Sequence, residues 1–248
     1  MSKSKFIQIE SKNALLELLK EGREFEKIFV ASNAFKDEKS KEIIQIAGQR
    51  KIPVLKISRR AINRRLRSSS SESIVAHMYS QNDWDLGELL DTLYKDDKRP
   101  FFLVLDNLKY SQNIAAIMRS AFGAGVNGII INPQEKSLIS DETIRISMGA
   151  AERIPLVEMN LFNALKTLKE NDIKIYAIDM EGKHYYDVDL TGPVAFVLGA
   201  EDVGISTGIS ERVDGKISIP MREGIGSLNV SASAAVLVYE KLRQEVQG

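Results

Sequence analysis

The sequence predicts an α/β protein in which a parallel-sheet domain follows a smaller α/β domain. The first observation is a series of short apolar runs that suit strands buried on both faces, at 101–105, 128–131, 173–178 and 194–198. The second is helical periodicity between these runs, over 113–124, 140–150 and 161–171. The third is a division of charge: residues 1–80 carry 17 Lys and Arg against 9 Asp and Glu, whereas residues 81–248 carry 17 against 25.

The smaller domain is expected to span residues 1–80. Helix and strand patterns alternate in it, with helices at 13–20 and 39–50 and strands at 27–31 and 53–57. Residues 81–100, which include an acidic amphipathic helix expected over 83–94, are expected to link it to the larger domain at 101–248. A basic front domain is suited to an anionic polymer such as RNA, although opposite charges also serve to dock two domains.

Composition excludes several classes of function. The 248-residue chain has no cysteine and two histidines, which excludes disulfides and thiolate metal sites, so we expect no metal. No apolar run reaches the roughly 18 residues that a membrane span needs. No secretory segment follows the N-terminus, and the expected location is therefore the cytoplasm, with no membrane partner.

A basic segment follows the last predicted strand of the front domain, and residues 43–71 contain no acidic residue. Its arginines fall partly at helical spacing. Guanidinium groups match phosphate oxygens in geometry and charge, so we predict contacts with the RNA backbone. The plainer alternative is a solvated helix face. The predicted RNA-binding residues are Arg59, Arg60, Arg64, Arg65 and Arg67.

Polar loops follow two of the predicted strands of the larger domain. Open α/β sheets bind ligands at the carboxyl ends of their strands, which is where these loops fall. The loop after 101–105 leads into a helix that carries Asn113 and Arg119. The strand at 194–198 ends in the turn Gly-Ala-Glu-Asp-Val-Gly-Ile at 199–205, which presents Glu201.

A third loop begins at Ile219, near the C-terminus, and leads into a helix rich in small residues. Gly224 and Gly226 let its backbone approach a ligand without a Cβ in the way. Ser227 and Asn229 then place two polar side chains at the start of the helix. This pattern predicts a ligand-binding loop, and the alternative is an ordinary capped helix.

Taken together, the three loops resemble the motifs of the SpoU (TrmH-like) family of RNA ribose 2′-O-methyltransferases, within the SPOUT superfamily. The resemblance covers about 101–243, and it is close at 199–205 and at 219–233, where Ile-Pro-Met precedes Ser-Leu-Asn-Val-Ser-Ala-Ser. The front domain is similar to the ribosomal-protein-like RNA-binding domain of some members. The first motif departs from the pattern, because Tyr-Ser-Gln-Asn-Ile-Ala at 110–115 lacks the usual proline and glycine.

The resemblance implies a SPOUT domain with a deep C-terminal trefoil knot, S-adenosylmethionine held in a bent shape by the loops, and a homodimer with its sites at the interface. Carried over by motif, the catalytic residues are Asn113, Arg119, Glu201, Ser227 and Asn229. The cofactor-binding residues are Gly199, Ile219, Met221 and Leu228, with Met221 beside the adenine.

The implied function is S-adenosylmethionine-dependent 2′-O-ribose methylation of RNA, with 23S-type ribosomal RNA as the expected substrate. Arg119 matches the base proposed for the family, yet a guanidinium pKa above about 12 favours a role in holding phosphate and stabilising a developing alkoxide. A tRNA target and a non-catalytic RNA-binding or ribosome-assembly factor stay open as alternatives. A Rossmann-type dehydrogenase is excluded, because no Gly-x-Gly-x-x-Gly follows a strand.

Overall fold

The structure is a computed structural model that describes residues 6–32, 37–66, 72–79, 83–133, 135, 139–222 and 226–247. The chain divides into two compact units, Met1–Gln81 and Asn82–Gly248. Each unit is described by itself below.

The first unit contains a four-stranded sheet of order β1-β4-β2-β3. Its strands are β1 (Phe6–Ile9), β2 (Phe25–Ala31), β3 (Val54–Ile57) and β4 (Ile74–Tyr79). Its helices are α1 (Lys12–Lys20), α2 (Glu38–Gln49) and α3 (Arg59–Asn63). The first two helices begin at side-chain caps, because Ser11 accepts from the backbone N–H of Ala14 and Asp37 accepts from that of Ser40.

The second unit contains a seven-stranded sheet of order β11-β9-β10-β6-β7-β8-β5, in which every pair of neighbouring strands is parallel. Its strands are β5 (Asp83–Trp84), β6 (Phe101–Asp106), β7 (Gly128–Ile131), β8 (Leu156–Glu158), β9 (Lys174–His184), β10 (Val194–Gly199) and β11 (Gly215–Ser218). Its helices are α4 (Leu86–Lys95), α5 (Ser111–Gly123), α6 (Asp141–Ile146), α7 (Leu161–Glu170), α8 (Thr207–Ser210) and α9 (Val230–Gln247).

The core of the second unit lies on both faces of its sheet. Alternate residues of β6 belong to different clusters: Leu103 and Leu105 pack with α5 and α9, whereas Phe102 and Val104 pack with α4 and α7. A strand buried on both faces needs a continuous apolar run, and this is the pattern that the sequence shows. The predicted α/β class with a parallel sheet is therefore confirmed, while the trefoil knot stays a prediction.

The amphipathic helix expected over 83–94 forms as α4, but it and the short strand before it pack into the second unit instead of forming a separate linker. Asp83 and Trp84 form β5, which pairs with β8, and α4 follows it directly. The helix buries Leu86, Leu89 and Leu90 against the sheet. An amphipathic helix of this length has one apolar face to bury, and the sheet of the second unit offers the surface that it needs.

The described part of the chain contains no helix with the length and apolar character that a membrane span requires.

Candidate functional site

The candidate site is assembled where the carboxyl ends of β6 and β10 meet. These strands are neighbours in parallel register, and Asp106 at the end of β6 lies opposite Gly199 at the end of β10. The two polar loops that follow them must therefore start side by side. Buried Asp106 ties the loops together, because its Oδ2 accepts the backbone N–H of Ser206 at 2.7 Å.

Three of the predicted catalytic side chains form a hydrogen-bonded cluster. The Nδ2 of Asn113 donates to Oε1 of Glu201 at 2.9 Å. The Nδ2 of Asn229 donates to Oδ1 of Asn113 at 3.1 Å and also to Oε1 of Glu201. The cluster joins residues that are 116 positions apart in the chain, since it combines the starts of α5 and α9 with the loop after β10.

Asn229 has two tasks in this cluster. Its Oδ1 accepts the backbone N–H of Ser231 at 2.9 Å, which caps the first turn of α9. Its Nδ2 is then directed towards Glu201. The alternative of an ordinary helix cap is thus correct for the amide oxygen of Asn229. The amide nitrogen instead donates to the carboxylate of Glu201.

A cavity of about 330 Å³, named the larger cavity because it exceeds a second cavity beside Glu201, opens beside this cluster. It is lined by the loop after β10, by the residues after β11 and by the start of α9. All four predicted cofactor-binding residues, together with Ser227 and Glu201, line it: Gly199, Glu201, Ile219, Met221, Ser227 and Leu228. Gly226 also lines it, whereas Gly224 lies outside the described residues.

The turn at 199–205 is closed by backbone contacts that require glycine at its start. The N–H of Gly204 donates to the carbonyl of Ala200 at 2.8 Å, and Gly204 has a φ of 69°. A Cβ at Gly199 would lie 2.3 Å from the carbonyl carbon of Gly204. The turn therefore requires glycine at position 199. The same turn fixes the position of Glu201.

Sequence reasoning missed one wall of the larger cavity, which β9 provides. This strand pairs with β11 at Tyr176 and again at Lys183, and residues 178–182 bulge between these pairings. Ile178, Asp179 and Met180 of the bulge line the cavity. The signal was available, because 173–178 was predicted to be a strand and its carboxyl end lies at the ligand-binding edge.

Asp179 brings a charged group to that wall. Its carboxylate accepts from Nζ of Lys216 at 2.6 Å, and this hydrogen bond is the main reason that the pKa of Asp179 is lowered. The carboxylate also accepts the backbone N–H of Glu181 at 3.0 Å. The larger cavity therefore has mostly apolar walls with one fixed carboxylate besides Glu201.

A second cavity of about 100 Å³, the smaller cavity, lies on the other side of Glu201. It is lined by Leu108, Lys109, Tyr110, Asn113, Ala200, Glu201, Asp202 and Val230. Ala200, Glu201 and Val230 line both cavities. Glu201 thus stands between two compartments that can hold two reacting molecules.

Arg119 is the one predicted catalytic residue of the described chain that neither joins the cluster nor lines either cavity. It is exposed on α5, six residues after Asn113. Six residues extend about 9 Å along a helix, and the helical rotation over them places Arg119 on a different face from Asn113. The structure therefore leaves this guanidinium available to a molecule outside the chain.

A buried acid supports the edge of the sheet beside β6. Glu135 lies in the loop after β7, and its Oε2 accepts the backbone N–H of Asn132 at 3.1 Å. Burial raises the pKa of Glu135 to about 7, and the nearby Asp106 contributes to the rise.

The predicted RNA-binding arginines divide into two groups. Helix α3 ends at Asn63 with Arg64 as its C-cap, and the backbone N–H of Leu66 still bonds to the carbonyl of Ile62 at 3.1 Å. Arg59 donates to the carbonyl of Glu72, and Arg65 lies 4.6 Å from the ring centroid of Phe29. These two are therefore engaged within the unit.

Arg60 and Arg64 are exposed, and Arg67 lies outside the described residues. The backbone N–H of Arg64 bonds to the carbonyl of Arg60 at 3.2 Å, so these two exposed arginines lie one helical turn apart, as their spacing predicts.

Residues 100–239 match the SpoU rRNA Methylase family. Residues 9–82 match a second family, described as RNA 2′-O ribose methyltransferase substrate binding. The two matches fall on the two structural units.

Curated relatives resemble the chain over nearly its whole length. The 23S rRNA (guanosine-2′-O-)-methyltransferase RlmB of Pectobacterium atrosepticum is 33% identical over 244 residues, which are 95% of this chain and 96% of that protein. An uncharacterized tRNA/rRNA methyltransferase of Mycolicibacterium vanbaalenii is 31% identical over 94% of this chain and 75% of its own.

Solved structures share the fold. The SpoU methyltransferase AviRb from Streptomyces viridochromogenes, in complex with AdoMet, has a TM-score of 0.70 at 19% identity and covers 98% of this chain and 92% of its own. An AdoMet-bound rRNA methyltransferase from Sinorhizobium meliloti has a TM-score of 0.69 at 20% identity, with 96% and 87% covered. The family match over more than half of the chain and the 33% identity to RlmB confirm the resemblance of the three motifs, and the chain belongs to the SpoU rRNA methylase family.

Proposed function

We propose that this protein is a cytoplasmic enzyme that methylates a ribose 2′-hydroxyl of ribosomal RNA, with S-adenosylmethionine as the methyl donor. The observation that carries the proposal is the position of Glu201, held by Asn113 and Asn229 on the boundary between the two cavities. Methyl transfer to a hydroxyl forms a bond from the hydroxyl oxygen to the methyl carbon as the bond from that carbon to sulfur breaks. Holding the donor and the acceptor in line for this exchange lowers the barrier by up to about 7–11 kcal/mol.

The residues of the larger cavity fit S-adenosylmethionine. Its volume of about 330 Å³ lies within the range of roughly 300–1,000 Å³ that encloses small ligands. Ile219, Met221 and Leu228 supply apolar contact for an adenine ring, and Asp179 supplies an acceptor for hydroxyl or ammonium groups. When bound, S-adenosylmethionine supplies an electrophilic methyl group on a sulfonium centre.

Glu201 orients the acceptor hydroxyl in this proposal. The two amides donate to Oε1, and among the described residues no donor reaches Oε2. A 2′-hydroxyl in the smaller cavity can therefore donate to Oε2. Because the amides fix the carboxylate, little reorganisation is needed when the hydroxyl oxygen attacks.

Arg119 is proposed to hold the RNA phosphate next to the target ribose. It is exposed and has no partner among the described residues, so its five N–H donors are available to a phosphate. Ser227 lines the larger cavity at the start of α9, where its hydroxyl can donate to the ligand. Arg60 and Arg64, both exposed, are proposed to contact the RNA backbone from the first unit.

A homodimer is proposed on the exposed face of α5 and α9. Phe122 and Tyr239 are both partly exposed there, and the hydroxyl of Tyr239 lies beside Gly123. Arg153 covers Phe122, with its guanidinium carbon 4.5 Å from the ring centroid. Sedimentation of the wild type and of Phe122→Glu tests the proposal, which predicts a dimer for the first and a monomer for the second; a monomeric wild type contradicts it.

Ribosomal RNA is proposed over tRNA because the family match is to rRNA methylases and because RlmB, the relative at 33% identity, is named for 23S rRNA. The test is transfer of labelled methyl from S-adenosylmethionine to unmodified rRNA and tRNA, followed by alkaline cleavage, which a 2′-O-methyl group blocks. We expect label in rRNA in alkali-resistant dinucleotides. Label in tRNA alone would move the target to tRNA.

Glu201→Gln and Glu211→Gln form a matched pair for this assay. Glu211 is an exposed glutamate of the second unit that lines neither cavity. We expect a loss of about 100-fold or more in kcat for Glu201→Gln, with binding of S-adenosylmethionine kept, and near-normal turnover for Glu211→Gln. Cofactor binding without transfer to RNA or to ribosomal particles by the wild type would favour a non-catalytic RNA-binding factor.

A further inference from the structure

We propose that Tyr110 forms a nucleobase subsite at the mouth of the smaller cavity, on which the base of the target nucleotide or of its neighbour stacks. The inference rests on the proposed function, because it assumes that the ribose enters the smaller cavity. It adds an aromatic contact that sets the substrate preference of this particular chain.

The size of the smaller cavity separates the sugar from the base. Its volume of about 100 Å³ is well below the roughly 300 Å³ at which cavities begin to enclose a whole small ligand. It therefore suits a ribose ring and leaves the attached base outside. Tyr110 lines the cavity and is 59% exposed, so its ring lies where that base must emerge.

The fold does not require a tyrosine at this position. Tyr110 precedes α5 but makes no side-chain capping hydrogen bond. The helix begins instead with the backbone carbonyl of Tyr110, which accepts the N–H of Ile114 at 3.3 Å and is available to any residue. A large exposed ring that the helix does not use is free for a ligand.

Aromatic rings are the usual partners of unpaired bases in RNA recognition, because every base presents a flat face to stack on. The neighbouring Lys109 adds a cation beside the same cavity, where it pairs with Asp202 at 2.5 Å. Both groups of this pair are more than half exposed, so the ammonium is open to a phosphate from the solvent side. Ring and cation together fit a nucleotide that is unstacked from its helix.

The first test compares kcat/KM for methylation of the RNA pool that the wild type modifies. Stacking on one base predicts a loss of about 5- to 160-fold in kcat/KM for Tyr110→Ala and a value close to wild type for Tyr110→Phe. The affinity for S-adenosylmethionine should not change, because Tyr110 does not line the larger cavity. Tyr186→Ala is the matched control, since Tyr186 is 51% exposed and lines neither cavity.

A kcat/KM of Tyr110→Ala equal to that of the wild type would overturn the subsite. A loss of kcat/KM in Tyr110→Phe as large as that in Tyr110→Ala would also overturn it, because the effect would then belong to the hydroxyl group. A parallel loss of cofactor affinity would mean that Tyr110 only supports the fold.

The second test separates the subsite from the reaction. In Tyr110→Trp, RNA added without cofactor should quench the new indole fluorescence beyond the change seen in the wild type, whose only tryptophan is Trp84. Quenching without methyl transfer by the wild type would keep the subsite and overturn the proposed function. No extra quenching at an RNA concentration that saturates binding would overturn the subsite even if transfer is intact.

Discussion

Replacing Gly199 by alanine tests whether the turn after β10 sets the position of Glu201. A Cβ at residue 199 would lie 2.3 Å from the carbonyl carbon of Gly204 and 2.4 Å from the nitrogen of Ile205. Ordinary contact begins at 3.4 Å, so the opposing backbone must retreat by about 1.1 Å. It cannot swing aside like a side chain, because the N–H of Gly204 is bonded across the turn to Ala200.

This displacement predicts two measurable losses. Overpacking of this kind costs about 1–3 kcal/mol in the free energy of unfolding, which urea denaturation measures. A misplacement of about 1 Å in a catalytic group costs on the order of 100-fold in rate. We therefore expect Gly199→Ala to lower kcat by about that factor and to weaken binding of S-adenosylmethionine, as measured by titration calorimetry, because Gly199 lines the larger cavity.

Gly226→Ala is the matched control. Gly226 lines the same cavity, but a Cβ there meets no atom of the described residues within 4 Å. We expect stability near that of the wild type for this variant. The reasoning is refuted if Gly199→Ala keeps wild-type stability and rate, since the turn would then accommodate a Cβ. Lost stability with unchanged cofactor affinity and rate would show that the turn supports the fold without placing the site.

Three further predictions concern charged groups. Because burial raises the pKa of Glu135 from 4.5 to about 7, the protonated acid is favoured in the folded state, and its contribution to stability is lost as pH rises through that interval. Glu135→Gln should therefore gain stability relative to the wild type between pH 5 and pH 8 in urea unfolding, and a constant difference across pH would contradict this. Asp179→Asn should weaken binding of S-adenosylmethionine about tenfold in calorimetry. The double variant Asp179→Asn with Lys216→Met should not regain the lost affinity. An unchanged affinity in Asp179→Asn would show that Asp179 does not contact the ligand. Arg60→Ala with Arg64→Ala should lower RNA affinity and reduce the slope of log K against log salt by up to about 2, whereas an unchanged slope would place the RNA elsewhere.

The central strands and the motif loops of the second unit could be predicted from the sequence. Strands such as β6 and β10 are buried on both faces, so the requirement for a continuous apolar run is written locally in 101–105 and 194–198. The polar residues that follow such strands must meet at one edge when neighbouring strands are parallel. This geometric rule predicts that Glu201 lies beside the start of α5, and it needs no knowledge of the side-chain contacts.

Short and edge strands could not be predicted in the same way. β5 has two residues, Asp83 and Trp84, and it is a strand only because β8 accepts it at the edge of the sheet. In the first unit β1 and β4 were also missed, although β4 lies between β1 and β2 and pairs with both. Such strands depend on partners far away in the chain, and local patterns do not specify those partners.

The departures from the family motifs and the agreements with them lie in different parts of the site. The larger cavity is lined by residues of the two closely matching motifs, at 199–205 and 219–233, which is the part that binds the methyl donor in the proposed reaction. The first motif departs, and its Tyr110 lines the smaller cavity, on the acceptor side of Glu201. In the proposed reaction, a change of side chain there should alter which RNA fits and should leave the methyl donor and the Asn113–Glu201–Asn229 cluster in place. The chemistry of this chain should therefore follow its family, whereas its choice of nucleotide should depend on the residues around Tyr110.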